Sequence, residues 1–258
     1  MRQPIEPAPG NSGGGNGLHP NRLFSCRLPP SKSSQMAHIA LTIAGPDSGG
    51  GAGIQADLKA MSALGVYGAS VITAVTAQNT QAVTAIHGIP LDVVTAQIDA
   101  VLSDLNVGAI KIGMLATPEI IHCVADAIGG FDGPIVLDPV MVAKSGAALL
   151  ADDAVATLRE ALVPRATVLT PNLPEAARLL DGPIAQGRED TVEQGRALCD
   201  LGAQAVLMKG GHADGPVCHD ILVSSDGVLE AFSAPRRDTK NTHGTGCTLS
   251  SSIAVGLA

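Results

Sequence analysis

Tryptophan is absent, and only Phe24, Tyr67, Phe131 and Phe232 carry aromatic rings in a chain of 258 residues. A core must therefore be assembled from Ala, Val, Leu and Ile. No series of aromatic platforms is available on which single-stranded bases could stack. Positive charge is also in deficit, with 16 Lys and Arg against 24 Asp and Glu, a net charge of −8 and a pI near 5.2. Such a surface repels a phosphate backbone on average, which excludes nucleic acid as a partner.

Long hydrophobic runs are missing too. Charged residues make up only 16% and mean hydropathy is +0.27, so a membrane has to be considered. The longest uncharged run, between Lys59 and Asp92, is interrupted by Gln78, Asn79, Thr80 and Gln81. Nothing approaches the roughly 20 mostly apolar residues of a spanning helix. The five cysteines, at 26, 123, 199, 218 and 247, include no CxxC pair. Neither a disulfide framework nor a zinc knuckle fits that spacing, and no secretory signal precedes them. A soluble chain in a reducing cytoplasm is the expectation, with no membrane partner.

What is present divides in two. Residues 1–35 hold five Gly and six Pro and a net charge of +3, from Arg2, Arg22, Arg27 and Lys32 against Glu6. This segment reads as a disordered tail, with Met36 the expected natural start. From residue 37 onward, short β-branched runs alternate with helical periodicity. Strands are predicted at His38 to Ala44, Ala69 to Val75, Ala109 to Gly113, Pro134 to Leu137, Ala166 to Leu169 and Ala205 to Met208. Helices are predicted near 53–64, 92–105, 118–128, 152–162, 174–180 and 190–201. That alternation predicts an α/β fold, a mostly parallel central sheet with helices on both faces. Asp220 to Val223 and Val228 to Phe232, around Ser225-Asp226-Gly227, add an edge hairpin. In such sheets ligands bind at the carboxyl ends of the strands, so the residues following each run are the ones to inspect.

The first strand is followed by Gly45-Pro46-Asp47-Ser48-Gly49-Gly50-Gly51-Ala52-Gly53, with four glycines among residues 49–53. A tight turn needs fewer, so close ligand approach is the stronger reading. Gly51 to Ala56 satisfies G-x-G-x-x-A, but no acidic residue follows in 70–80 to hold a ribose, which argues against a dinucleotide site. Near the other end, Gly244-Thr245-Gly246-Cys247 opens an apolar helix. Backbone N–H groups there suit an anion whose charge grows in a transition state. The helix field is expected to lower the Cys247 thiol pKa toward neutrality, making a base, while a buried inert cysteine is the plain alternative.

Asp138 ends a central strand, where its charge requires a metal, a lysine or a ligand. Lys209 ends the sixth predicted strand and is suited to nucleotide phosphates, whereas His212 reads as a loop residue. Asn172 and Glu175, three apart at a helix start, either face a magnesium ion together or serve the helix terminus.

Taken in order, AGPDSGGGAGIQADLKAMSALGVYG at 44–68, TAVTAQNT at 73–80, KIGML at 111–115, VLDPVMVAKSG at 136–146, LTPNLPEA at 169–176, KGGH at 209–212 and NTHGTGCTLSS at 241–251 are specific together. The stretch from about 38 to 258 resembles the hydroxymethylpyrimidine/phosphomethylpyrimidine kinases of thiamine biosynthesis, a ribokinase-like branch. The resemblance implies ATP- and magnesium-dependent phosphorylation of 4-amino-5-hydroxymethyl-2-methylpyrimidine and then of its monophosphate. It implies that Gly45, Asp57, Gln78 and Met114 line a pyrimidine pocket. Lys209, Asn172 and Asp138 would serve ATP and its phosphates, and Glu175 with Asn172 the metal. Gly244, Thr245 and Gly246 would form the anion hole, and Cys247 stands where related sugar kinases use Asp. A pyridoxal kinase on the same scaffold and a non-catalytic pyrimidine or nucleotide binder are the rival readings, and a homodimer is left open. Family members continue past the last helix, whereas this chain stops at Ala258, so a kinase domain over 36–258 truncated at its C-terminus is the expectation.

Overall fold

A computed structural model describes residues 37–258 apart from 144, 145, 147, 148, 214 and 240. The tail at 1–35 lies outside the described residues, as do Lys144 and Ser145 of the motif at 136–146.

Five runs from the parallel pattern form the heart of the sheet. They are β1 (Ile39–Ala44), β5 (Ala109–Ile112), β6 (Ile135–Leu137), β7 (Val168–Leu169) and β8 (Ala205–Met208). With β2 (Tyr67–Ile72) on one side and the hairpin β9 (Val217–Ser224) and β10 (Gly227–Pro235) on the other, the order is β10-β9-β8-β7-β6-β5-β1-β2. All pairings from β2 to β8 are parallel, and β8–β9 and β9–β10 are antiparallel. Residues of β5 and β6 are buried without alternation, as expected where helices cover both faces.

The helices are α1 (Gly53–Ala63), α2 (Leu91–Asp104), α3 (Pro118–Ala127), α4 (Asp152–Ala161), α5 (Leu173–Leu180), α6 (Gly187–Asp200) and α7 (Thr245–Leu257). Their apolar stripes close a core of Leu41, Ile43, Ile98, Ile110, Ile112, Ile121 and Leu137, none above 1% exposure. Phe131 only packs against this core, and Tyr67 and Phe232 are exposed. The aliphatic core expected from the missing aromatics is what forms.

One predicted strand is corrected. The run Ala69 to Val75 breaks at Thr73: β2 ends at Ile72, and β3 (Ala74–Gln78) leaves the sheet to pair with β4 (Val83–Gly88) as a separate antiparallel ribbon. At the break Thr73 donates its N–H to Ala44 O at 3.2 Å and its hydroxyl to Met114 O at 3.0 Å. Gln97 satisfies the exposed edge of Ile72, accepting its N–H at 3.0 Å and donating to its carbonyl at 3.1 Å. The ribbon carries Gln78 out over the strand ends.

Candidate active site

At the carboxyl end of β1 the chain turns back on a single carboxylate. Asp47 is 1% exposed; its Oδ1 accepts the N–H of Gly49 at 2.8 Å, and its Oδ2 those of Gly51 at 3.0 Å and Ala52 at 2.9 Å. Gly50 and Gly53 have φ of +77° and +55°, which an L side chain adopts with strain, and a Cβ on Gly53 would lie 2.9 Å from Pro46 C. Two of the loop's glycines are thus required by the turn itself. Ser48 joins the loop to the ribbon, its hydroxyl accepting the Gln78 N–H at 2.8 Å and lying 2.9 Å from Gln78 O.

A second loop meets the first. Gly244, with φ of +78°, is the residue before α7 and packs on the carbonyl of Gly51. His243 Nε2 lies 2.7 Å from Asp47 Oδ2. No side chain caps α7, and the Thr245 N–H is turned to Thr242 O at 3.4 Å. The N–H groups of Gly246 and Cys247 have no hydrogen-bond partner among the described residues, which makes this helix start a donor site for an anion.

Asp138, Lys209 and Glu175 converge beside that helix start. Lys209 Nζ is 3.1 Å from Asp138 Oδ1 and 4.0 Å from Glu175 Oε2. A Cβ on Gly246 would lie 3.4 Å from Lys209 Nζ and 3.7 Å from Asp138 Oδ2, so a bulkier residue would crowd the gap between anion site and cation. Thr170 and Ser250 complete the shell of Asp138 through hydroxyl bonds of 3.2 Å each. Burial works against the Asp138 charge, but Lys209 and then Lys111 hold its carboxyl below the usual range. Lys209 is correspondingly raised: burial opposes its charge, but Asp138 and Glu175 outweigh it. Glu175 is pushed up to about 7 by burial, with Lys209 opposing and Asp138 adding to the rise.

Asn172 and Glu175 form a capping box at the start of α5. Asn172 Oδ1 accepts the Glu175 N–H and Glu175 Oε2 the Asn172 N–H, both at 2.8 Å. The helix-terminus reading of this pair is therefore met. Of the expected metal pair, Asn172 has its Oδ1 taken up by the cap, whereas the carboxylate of Glu175, with that of Asp138 across Lys209, suits a magnesium ion, since such ions are held by one or two carboxylates together with substrate phosphates.

Gly45 and Met114 come together, the Gly45 N–H bonding Met114 O at 3.2 Å and a Gly45 Cβ falling 2.9 Å from Met114 Cε. Gln78 is half-buried at the end of β3, and its side-chain amide has no partner among the described residues.

Two expectations are corrected. Asp57 does not line a pocket: it has 0% exposure, and its carboxylate is held by Thr42 at 2.6 Å, Lys111 at 2.9 Å and Ser251 at 2.7 Å. The Cys247 thiol is not lowered by the helix field. Burial pushes its pKa above the usual range, although Lys111 and an N–H bond from Gly53 pull the other way. Desolvation of a thiolate, with Asp138 and Asp57 adding to it, outweighs Lys111 and the one N–H bond that favour the charge.

Asp47, His243, Lys111, Thr170 and Ser250 were not read from the sequence. An Asp two residues before a glycine run is an Asx-turn signal. A lysine inside the strand Ala109–Ile112 is a buried charge that demands a partner. The His243 contact spans 196 residues and has no local signal.

The family model described as phosphomethylpyrimidine kinase matches residues 47–258, which include every site residue above except Gly45 and Thr42. The chain belongs to that family. A hydroxymethylpyrimidine/phosphomethylpyrimidine kinase from Rhizobium meliloti (strain 1021) is 56% identical over 223 residues, 86% of this chain and 84% of the relative. Among solved structures, the phosphomethylpyrimidine kinase of Clostridium difficile 630 is 42% identical, with a TM-score of 0.75 over 85% of this chain and 90% of that one. An ADP complex of Bacillus subtilis pyridoxal kinase is 37% identical, with a TM-score of 0.78 over 86% of this chain and 84% of that one. The family's sheet, with helices on both faces, is the ribokinase-like architecture expected from the motifs.

Proposed function

We propose that this family member transfers the γ-phosphoryl group of ATP to the hydroxymethyl oxygen of 4-amino-5-hydroxymethyl-2-methylpyrimidine, and then a second phosphoryl group to the monophosphate. The observation that carries the reading is the convergence of Lys209, Asp138 and the free N–H groups of Gly246 and Cys247 at the start of α7. The 56% identity to a hydroxymethylpyrimidine/phosphomethylpyrimidine kinase supports the choice of alcohol, since the pyridoxal kinase likeness is at 37%.

In this reading the nucleotide phosphates lie at Lys209 and the α7 start, and the pyrimidine lies between Gln78, Gly45 and Met114. The Gln78 amide offers one donor and one acceptor to an aminopyrimidine edge, and Met114 a polarizable face. The substrate oxygen attacks the γ-phosphorus as the bond to the β–γ bridging oxygen breaks. The Gly246 and Cys247 N–H groups and Lys209 offset the charge on the moving phosphoryl oxygens. A loose transition state leaves the hydroxyl proton in place until late, so the demand on a base is modest. Cys247, in its thiolate form, accepts that proton from the substrate hydroxyl and becomes the thiol, with the positive charge of Lys111 near it. Asp138 and Glu175 would hold a magnesium ion, which when bound neutralises phosphate charge.

Incubation with ATP and the pyrimidine alcohol, followed by mass spectrometry of the products, tests the reading. A mono- and then a diphosphorylated pyrimidine is expected. Phosphorylation of pyridoxal alone would replace it with the rival kinase.

A further inference from the structure

The glycine loop after β1 is fastened on both of its sides. Toward the ribbon, Ser48 bonds the backbone of Gln78 and Thr76, and the Thr76 hydroxyl donates to Pro46 O at 2.7 Å. Lys59 holds the loop's outer edge through Gly50 O at 2.6 Å. Toward α7, the connection is made by the long-range bond between His243 Nε2 and Asp47 Oδ2 and by the Gly53 N–H bond to the Cys247 thiol, reinforced by two close approaches that only glycine permits. A Cβ on Gly51 would lie 2.6 Å from His243 Cδ2, and one on Gly244 would overlap the Gly51 carbonyl. His243 immediately precedes the residue from which α7 and its free N–H groups start.

We propose that Asp47 and His243 are positioning residues for the transfer step, clamping the anion-hole turn at Gly244 onto the loop that also carries the Gln78 strand. The proposal rests on the kinase reading of the site. Neither side chain needs to touch substrate: the pair fixes the separation between the acceptor end, reached through Ser48, and the phosphoryl end, reached through Gly244. Asp47 is suited to this because burial opposes its charge while His243 and the N–H of Gly49 hold it ionised. A carboxylate accepting bonds on both oxygens fixes two loops at once. A carboxamide in its place would turn an NH2 toward N–H donors on one side. Misplacing reacting atoms by about 1 Å costs on the order of a hundredfold in rate. Since the anion hole acts on charge that develops in the transition state, the loss is expected in kcat rather than in KM.

The test compares His243→Leu, His243→Gln and His243→Asn, with folding checked by circular dichroism. Turnover is measured with whichever of the pyrimidine and pyridoxal alcohols the wild-type chain phosphorylates. The outcome then does not depend on the pyrimidine assignment, which the wild-type result judges separately. His243→Leu is expected to lower kcat at least tenfold, with KM for ATP and alcohol changed less than threefold. His243→Gln, whose amide nitrogen reaches the Nε2 position, is expected to recover to within about threefold of wild type. His243→Asn, whose amide nitrogen is a bond too short, is expected to stay low. If His243→Leu does not fold, the comparison of Gln with Asn decides alone. Unchanged kcat in His243→Leu, a loss seen only in KM, or equal activity of the Gln and Asn variants would overturn the proposal.

Discussion

Lys111 Nζ lies 2.9 Å from Asp57 Oδ2, and their side chains are 1% and 0% exposed. The pair joins β5 to α1, and through Thr42 and Ser251 it draws in β1 and α7 as well. Burial works to discharge Lys111, but Asp57 together with Cys247 and Asp138 holds the ammonium well above its ordinary range. A charge this deeply set is costly once its partner is removed. Lys111→Met is therefore expected to destabilise the chain by about 3–5 kcal/mol. Adding Asp57→Leu is expected to restore part of that loss, because no unpaired charge remains. Urea unfolding of the two variants checks this, and a double variant less stable than the single one would contradict it.

Cys247 carries the second prediction. Its thiol is held above the usual range by burial, so at neutral pH most molecules have a protonated Cys247. If the thiolate takes the substrate proton, kcat climbs as pH rises into the alkaline range. Cys247→Ala is expected to lower turnover at least about tenfold and to flatten that climb. A pH series of kcat for both proteins reads this directly, and unchanged turnover in the variant removes Cys247 from the mechanism.

Glu175 gives a pH dependence of stability with the opposite sign to that of an ordinary paired carboxylate. Its folded pKa is raised to about 7, above the ordinary glutamate value of about 4.5. Between those values the folded state holds a proton that the unfolded state has released, so the folded state is favoured at the acidic end. The contribution is complete below about pH 4.5 and is lost as pH rises through 7. Glu175→Gln is expected to lack this component. Denaturation midpoints of both proteins from pH 4.5 to 8 check it, and parallel curves would show that Glu175 does not titrate in that window.

Gln78 stands on the ribbon with its amide unpartnered. Gln78→Ala is expected to weaken pyrimidine binding about tenfold, the effect of one or two hydrogen bonds, and to leave ATP affinity within twofold. Calorimetric titration of each ligand separately distinguishes this from a general loss of the site.

The parallel sheet was legible because each strand is a short apolar run followed by its own punctuation. The Asn172–Glu175 box was legible because its chemistry is local, and Lys209 and Asp138 because charges at strand ends need partners. The ribbon was only half legible. Val83–Gly88 is largely exposed and pairs with β3 away from the main sheet, so no buried face imposes an alternation on its sequence. Asp57 was misplaced for a related reason: its partners Lys111 and Ser251 are 54 and 194 residues away, and only their packing shows the carboxylate to be occupied. The Cys247 thiol was misjudged because the sequence displays its helix start but not its burial.

The most direct measurement is ADP release by the purified chain with ATP and magnesium, supplied in turn with the hydroxymethylpyrimidine, its monophosphate and pyridoxal. ADP release with both pyrimidine substrates, at rates well above that with pyridoxal, is the predicted result. No release with either pyrimidine while pyridoxal is turned over, or binding of ATP and pyrimidine without any ADP release, would contradict it.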